Sequence, residues 1–264
     1  MAKKLAQFWV FVAGKGGVGK SVLMLHAGVA LSQAGKRVLL LDADLGLANL
    51  HILANVEPRG RLERVLARAE KLSEAITPLL CGPDLLAADS GQNICLLHGE
   101  EATSALAETL GTLTANYDHI LVDTPRGLSE AALQFCRACD LTVLVTTGEP
   151  TALTNSYAWY KIATLTQAPF PICVVANQSR DASLEARFGS LCTRFLGHRP
   201  AWGGTVPDDP AVAESVARQE TVFNRAPRAP YWTAVLSLVR NLQELTNQQV
   251  SVGNPVSATG RKRA

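Results

Sequence analysis

The stretch Gly14-Lys15-Gly16-Gly17-Val18-Gly19-Lys20-Ser21 constrains this chain more than any other. It fits the pattern G-x-x-x-x-G-K-[ST]. An apolar run, Phe8 to Ala13 (FWVFVA), precedes it, and a helix-length stretch, Ser21 to Ala34, follows it. Glycines at these positions let backbone amides turn inward around a polyphosphate, and the helix start adds the positive end of its dipole. In such a loop Lys20 reaches the β- and γ-phosphates and the Ser21 hydroxyl binds Mg²⁺. The loop works only between a strand and a helix, so the chain must open with an α/β unit. The same residues also read as G-x-G-x-x-G through Gly14, Gly16 and Gly19, with Asp42 at a distance suited to a ribose, which is the pattern of a nicotinamide-binding fold. A dinucleotide loop has no use for Lys20-Ser21 directly after its last glycine, and the phosphate-loop reading is preferred.

The rest of the chain continues the alternation. Strands are expected at Phe8 to Ala13, Arg37 to Asp42, Leu85 to Ala88, His119 to Asp123, Leu141 to Thr146 and Ile172 to Asn177, with a seventh ending at Thr205 to Pro207. Several are apolar throughout, as strands covered on both faces are. Helices are expected at Ser21 to Ala34, Arg61 to Ile76, Glu101 to Ala115, Ser129 to Ala138, Thr151 to Thr166, Asp181 to Leu196, Pro210 to Gln219 and Tyr231 to Leu245. Strand and helix in regular order imply right-handed βαβ units. The expected fold is a single-domain α/β protein, a doubly wound, mostly parallel sheet of the P-loop NTPase kind, over residues 1–246. A polar, disordered tail is expected over 247–264.

Acidic residues close two strands on the side of the loop. Asp42 and Asp44 end the second (LLLDADLGLANL), and Asp123 ends the fourth (ILVDTPRG). Carboxylates at the carboxyl ends of parallel strands beside a phosphate loop surround the metal and the terminal phosphate. Asp123 is read as the Walker B acid that holds Mg²⁺ through water, and Asp42 as serving the water shell of the metal. Asp44 is placed to orient, or take a proton from, the attacking water. Asp123-Thr-Pro-Arg-Gly127 has the D-x-x-x-G form of a segment whose glycine amide, here that of Gly127, contacts a γ-phosphate.

Charge and cysteine content narrow the setting. The net charge is +2, and Arg261, Lys262 and Arg263 at the chain end account for it, so the body is nearly neutral and no specific nucleic-acid binding is expected. Six cysteines in 264 residues make no disulfide framework and read as reduced thiols. Lys3, Lys4 and the apolar stretch behind them imitate a secretion signal, but the phosphate loop needs that stretch as its strand. No apolar run approaches the ~18 residues of a membrane span. A cytoplasmic protein is expected.

These motifs carry a resemblance. KGGVGKS, with Lys15 early in the loop, resembles the deviant Walker A of the MinD/ParA ATPases. DADLGLANL, VDTPRGLS, VTTGEPTALTNSYA, VANQ and VPDD look most like its FlhG branch, also called FleN or YlxH, which controls flagellar number and placement. The similarity runs from about Phe8 to Leu245. It implies ATP and Mg²⁺ as ligands of Gly14 to Ser21 and Val22, and a homodimer formed across two nucleotides. It further implies that Lys15, catalytic with Lys20 and Asp44, reaches the phosphates held by the other subunit. Asn177 and the Pro207-Asp208-Asp209 segment match the adenine contacts, and Glu149-Pro150-Thr151 falls near the dimer face. A flagellar partner is implied, such as an FlhF-like GTPase or a transcription regulator. Positioning of a septum, chromosome or other cargo is the alternative role.

The chain also departs from that pattern. FlhG proteins usually begin with a D-Q-A-x-x-L-R motif that stimulates FlhF, and MAKKLAQFWVF contains none. The C-terminal QQVSVGNPVSATGRKRA has no apolar face, so membrane contact is expected to be weak or absent. Pro125-Arg126 stand where small residues are usual before the glycine, and a solvent-facing Arg126 is the favoured reading. Cys136 and Cys139 form a C-x-x-C such as iron–sulfur carriers use, but within a helical pattern, where core packing is favoured. Tyr157, Trp159 and Tyr160 read as core or dimer-face aromatics. His26, His51, His98, His119 and His198 show no metal spacing. The helix from Tyr231 carries an apolar stripe at Trp232, Val235, Leu236, Val239 and Leu242, read as docking on the sheet.

Overall fold

The computed structural model describes residues 6–89, 108–109, 111–165 and 170–251. Its first half runs β1 (Gln7–Ala13), α1 (Lys20–Gln33), β2 (Val38–Asp42), α2 (Leu50–Leu53), α3 (Leu62–Leu66), α4 (Leu72–Ala75), β3 (Thr77–Pro78), β4 (Asp84–Leu86) and β5 (His119–Asp123). Its second half runs α5 (Glu130–Ala138), β6 (Leu141–Thr146), α6 (Pro150–Thr164), β7 (Ile172–Ala176), α7 (Leu184–Leu196), β8 (Ala201–Thr205), α8 (Pro210–Ala217), α9 (Val222–Arg225) and α10 (Pro230–Ser251). Eight strands form one sheet in the order β3-β4-β2-β5-β1-β6-β7-β8. Every pairing is parallel except β3 with β4. This is the expected doubly wound P-loop fold.

Why β1 sits at the centre is visible in its sequence. Trp9, Phe11 and Ala13 point to one face, where they pack with α1 and α10. Phe8, Val10 and Val12 point to the other, where Phe135, Trp159 and Phe188 of α5, α6 and α7 lie. A strand apolar on both sides can be satisfied only between two helical layers. Its neighbours are β5 and β6, and the register puts Phe11 beside Asp123. β2 in turn pairs with β5 and sets Asp42 directly beside Asp123. The phosphate loop and the acidic residues therefore meet at one end of the sheet.

Three boundaries differ from the sequence reading. The expected helix from Arg61 to Ile76 is two short helices, α3 and α4, and the chain turns between them with Arg68 at φ 56°. Two-residue β3, at the sheet edge, is too short to leave a periodic pattern. α10 runs to Ser251, past the helix end expected at Leu245, and Thr246 is buried: its hydroxyl accepts the Trp9 Nε1–H at 3.0 Å and donates to the Leu242 carbonyl at 2.8 Å. That bond, with buried Trp232, Val235, Val239 and Leu242, fixes α10 on the sheet. Leu238 completes the stripe in place of Leu236, which is 38% exposed. The expected helix Glu101 to Ala115 lies mostly outside the described residues, as do 252–264 of the expected tail. Among the described residues no helix is long and apolar enough to cross a membrane.

His26 ties the helix behind the phosphate loop to the C-terminal elements. Its Nδ1–H donates to the Val22 carbonyl at 2.8 Å, and its Nε2 accepts the Val222 N–H at 2.9 Å. Tyr231 stands edge-on to the ring, with centroids 5.2 Å apart. The bond accepted from Val222 requires the neutral ring, and burial lowers its pKa from 6.5 to about 4. Between those values the unfolded chain binds the proton that the folded chain refuses, so this contribution is full above pH 6.5 and fades as pH falls toward 4. His26→Ala leaves the buried Val222 amide unpaired and should cost about 1–3 kcal/mol at pH 7.5. Urea unfolding of parent and variant should show that gap narrowing at pH 5. A constant gap would mean that the proton plays no part.

Candidate functional site

The site grows out of the turn after β1. Gly17 and Gly19 have φ of +83° and +77°, which any residue with a Cβ adopts under strain. Gly14 is required for a different reason: a Cβ there would stand 2.6 Å from the Asn155 backbone of α6. Gly19 caps α1 without a side-chain hydrogen bond, which leaves the first amides of a 14-residue helix turned toward the loop. A cavity of about 240 Å³ lies over the turn, lined by the loop from Lys15 to Val22 and by Asp44, Leu47, Asn49, Leu53 and Arg126.

Asp123 organises the floor. One carboxylate oxygen accepts from the Lys20 ammonium and the other from the Ser21 hydroxyl at 2.5 Å. Lys20 and Asp123 are both buried. Asp42 is fully buried beside them. Its Oδ1 accepts the Asp44 N–H at 3.2 Å, and its Oδ2 accepts the N–H groups of Asn49 and Leu50 at 3.0 and 3.1 Å. Burial, reinforced by the nearby Asp123 carboxylate, raises the Asp42 pKa from 3.8 to about 7. The two carboxylates thus lie side by side at the strand ends, with Lys20 bonded to Asp123. The donor set is all oxygen, the Ser21 hydroxyl with the two carboxylates, which is the chemistry of a Mg²⁺ site that keeps several waters. Those three residues would hold the ion, whose role when bound is to neutralise phosphate charge.

The remaining residues named from sequence fall into three groups. Asp44 lines the cavity, its Oδ1 accepting from the Leu47 amide at 3.3 Å. The Asn177 Nδ2 donates to the Val18 carbonyl at 2.9 Å and braces the loop from the end of β7, while its Oδ1 is buried with no partner in this structure. Asn177, like the segment after β8, does not line the cavity in this structure. Gly127, at φ +79°, gives its N–H to the Ala13 carbonyl at 2.8 Å, so in this structure the amide serves the root of the loop. Pro207 and Asp208 do not line the cavity. Asp209 is a structural cap: its carboxylate accepts the amides of Ala211 in α8 at 3.0 Å and Tyr231 in α10 at 3.1 Å.

Two residues gain a place that the sequence did not assign. The Lys15 ammonium bonds Glu149 Oε2 at 2.6 Å and Thr151 Oγ1 at 3.1 Å, joining the loop to the start of α6. Arg126 is exposed as expected, yet it folds over Gly16 and lines the cavity. No spacing rule links Lys15 to Glu149, which lies on another strand-helix turn. Cys136 is fully buried in the core, and the Cys139 thiol donates to the Cys136 carbonyl at 3.1 Å. Burial pushes the Cys136 thiol up to about 12 and raises Cys139 as well. That environment suits packing and not the thiolates a cluster needs.

A glycine-rich loop on a helix start, a serine–aspartate pair and a doubly wound sheet define a P-loop nucleotide-binding protein. Residues 9–222 match the CobQ/CobB/MinD/ParA nucleotide binding domain, and the chain belongs to that family, with the deviant Walker A loop of its MinD/ParA ATPases. It is similar to the antiactivator FleN of Pseudomonas aeruginosa, 31% identical across 82% of this chain and 79% of the relative. It is also similar to the flagellum site-determining protein YlxH of Helicobacter pylori, 36% identical across 59% of this chain and 53% of the relative. The fold matches MinD of Pyrococcus horikoshii in complex with Mg-ADP, with a TM-score of 0.76 at 24% identity, over 93% of this chain and 99% of that one.

Lys20→Ala should weaken ATP binding at least about 10²-fold, because a lysine at this place in a phosphate loop supplies its charge to the β- and γ-phosphates. Isothermal titration calorimetry on a variant shown to be folded by circular dichroism checks this. Unchanged affinity would remove Lys20 from the site.

Proposed function

We propose that this chain is a Mg²⁺-dependent ATPase that works as an ATP-driven monomer–dimer switch and controls flagellar number or placement. The observation that carries the switch is the position of Lys15. Its ammonium is turned away from the floor of its own loop, onto Glu149 and Thr151, and its side chain is 38% exposed. From there it would exchange an exposed, weak ion pair for phosphates held by a second subunit. Leu47 and Leu128, exposed beside the loop and the Asp123–Gly127 segment, supply apolar surface for that face. The flagellar role is supported by the similarity to FleN over most of both chains, and to YlxH. The partner would then be a flagellar GTPase of the FlhF kind or a transcription regulator. Positioning of a septum or other cargo is the second reading, favoured by the fold likeness to MinD.

The chemistry follows from the placement of the side chains. Lys20 and the α1 amides hold the phosphates. Asp44, at the cavity wall, orients the attacking water and takes up its proton. Positioning water acts on the transition state and contributes little to ground-state binding. Asp44→Ala should therefore bind ATP about as tightly as the parent, hydrolyse it at least about 10²-fold more slowly and accumulate as a dimer. Lys15→Ala should retain ATP binding and remain monomeric. Single-turnover hydrolysis and light scattering with ATP and Mg²⁺ read both variants. Normal hydrolysis by Asp44→Ala, or an ordinary ATP-dependent dimer of Lys15→Ala, would overturn the mechanism. Co-purification of the trapped dimer with flagellar proteins tests the role, and recovery of division-site proteins alone would select the second reading.

A further inference from the structure

Among the described residues three cations face the phosphate cavity, and two are already committed. Lys20 is bonded to Asp123, and Lys15 to Glu149. The third, Arg126, forms no salt bridge in this structure. It stands on the turn between Asp123, whose carboxylate holds Lys20 and Ser21, and Gly127, whose amide is tied to the Ala13 carbonyl. Both ends of the short segment are thus fixed to the phosphate loop, one at its root and one at its helix end. The backbone of the segment cannot swing away without breaking a buried contact, so Arg126 springs from a fixed point beside the loop. A Cβ built on Gly16 would lie 3.0 Å from Arg126 Nη1 and 3.2 Å from its Cδ. The arginine stem therefore lies against the leading half of the loop, on the Lys15 side, away from Lys20 and Ser21 at the start of α1.

The consequence follows from charge and geometry. Arg126 lines the phosphate cavity with the loop, and its stem covers Gly16 on the side away from the α1 start. A guanidinium presents a planar fork that matches two phosphate oxygens, and one without a carboxylate partner has no ion pair to break first. We propose that Arg126 binds the terminal phosphate of the nucleotide held by its own subunit and so makes the site prefer ATP over ADP. The proposal rests on the nucleotide-binding reading above. It gives the Pro125-Arg126 departure a function, with the proline holding its own backbone φ near the value of a tight turn.

Titration calorimetry with Mg²⁺ and either ATPγS or ADP, on the parent, Arg126→Ala and Arg126→Lys, separates the outcomes. Arg126→Ala should lose about tenfold or more in ATPγS affinity, with ADP affinity held within about twofold. Arg126→Lys, which keeps the charge but not the fork, should fall between the two. Because Arg126 is exposed, both variants should melt with the parent. Unchanged affinities, or equal losses for both nucleotides, would overturn the proposal while leaving the nucleotide site standing. A parent that binds neither nucleotide would overturn both.

Discussion

One carboxylate holds the working end of this molecule together. Asp123 closes β5 and takes the Lys20 ammonium on one oxygen and the Ser21 hydroxyl on the other, while its backbone carbonyl accepts the Ala43 amide at 2.8 Å. It therefore joins the phosphate loop, the strand beside it and the turn that carries Asp42 and Asp44. A lone buried carboxylate is costly and an ion pair in the same place is tolerated only with further hydrogen bonds. The loop supplies both. The sheet order makes this meeting necessary, since β5 is the only strand lying between β1 and β2.

The same contact explains how the second acidic residue behaves. Asp42 shares a strand-end row with Asp123 and has no cation of its own. Three backbone amides hold it, yet burial and its neighbour still raise its pKa to about 7. With the Ser21 hydroxyl the two carboxylates form an all-oxygen donor set, the kind that would suit a Mg²⁺ ion. Three amides on two carboxylate oxygens also mean that the Asp42–Leu50 turn is shaped by this side chain. The position of Asp44 at the cavity wall is a consequence of that turn.

Much of this was legible in the sequence because it depends on local rules. The loop, the strand ends and the central β1 follow from glycine geometry and from apolar runs that demand cover on both faces. Asp42 and Asp123 could be placed because residues that end parallel strands share one edge. What could not be read depends on pairs far apart in the chain. The Lys15–Glu149 bond joins residues 134 positions apart, and the Trp9–Thr246 bond joins residues 237 apart. The latter holds α10 at Thr246, one residue past the helix end expected at Leu245. The Asp209 carboxylate caps two helix starts, Ala211 of α8 and Tyr231 of α10, and no local pattern pairs it with residue 231. The break at Arg68 was hidden because α3 and α4 together keep a helical apolar rhythm that one helix would also produce.

The two lysines of the loop differ in the cost of moving them, and this orders events at the site. Lys20 and Asp123 are both buried, so separating them leaves charges without solvent and happens only when another anion and cation replace each partner together. Lys15 and Glu149 are 38% and 63% exposed, and exposed pairs contribute only about 0–1 kcal/mol. The ammonium of Lys15 is therefore the one that leaves its carboxylate readily. Held on Glu149, it lies at the protein surface, bound by a weak ion pair. Under the proposed reading, a buried lysine that stays and a surface lysine that moves divide nucleotide binding from dimer formation within one eight-residue loop.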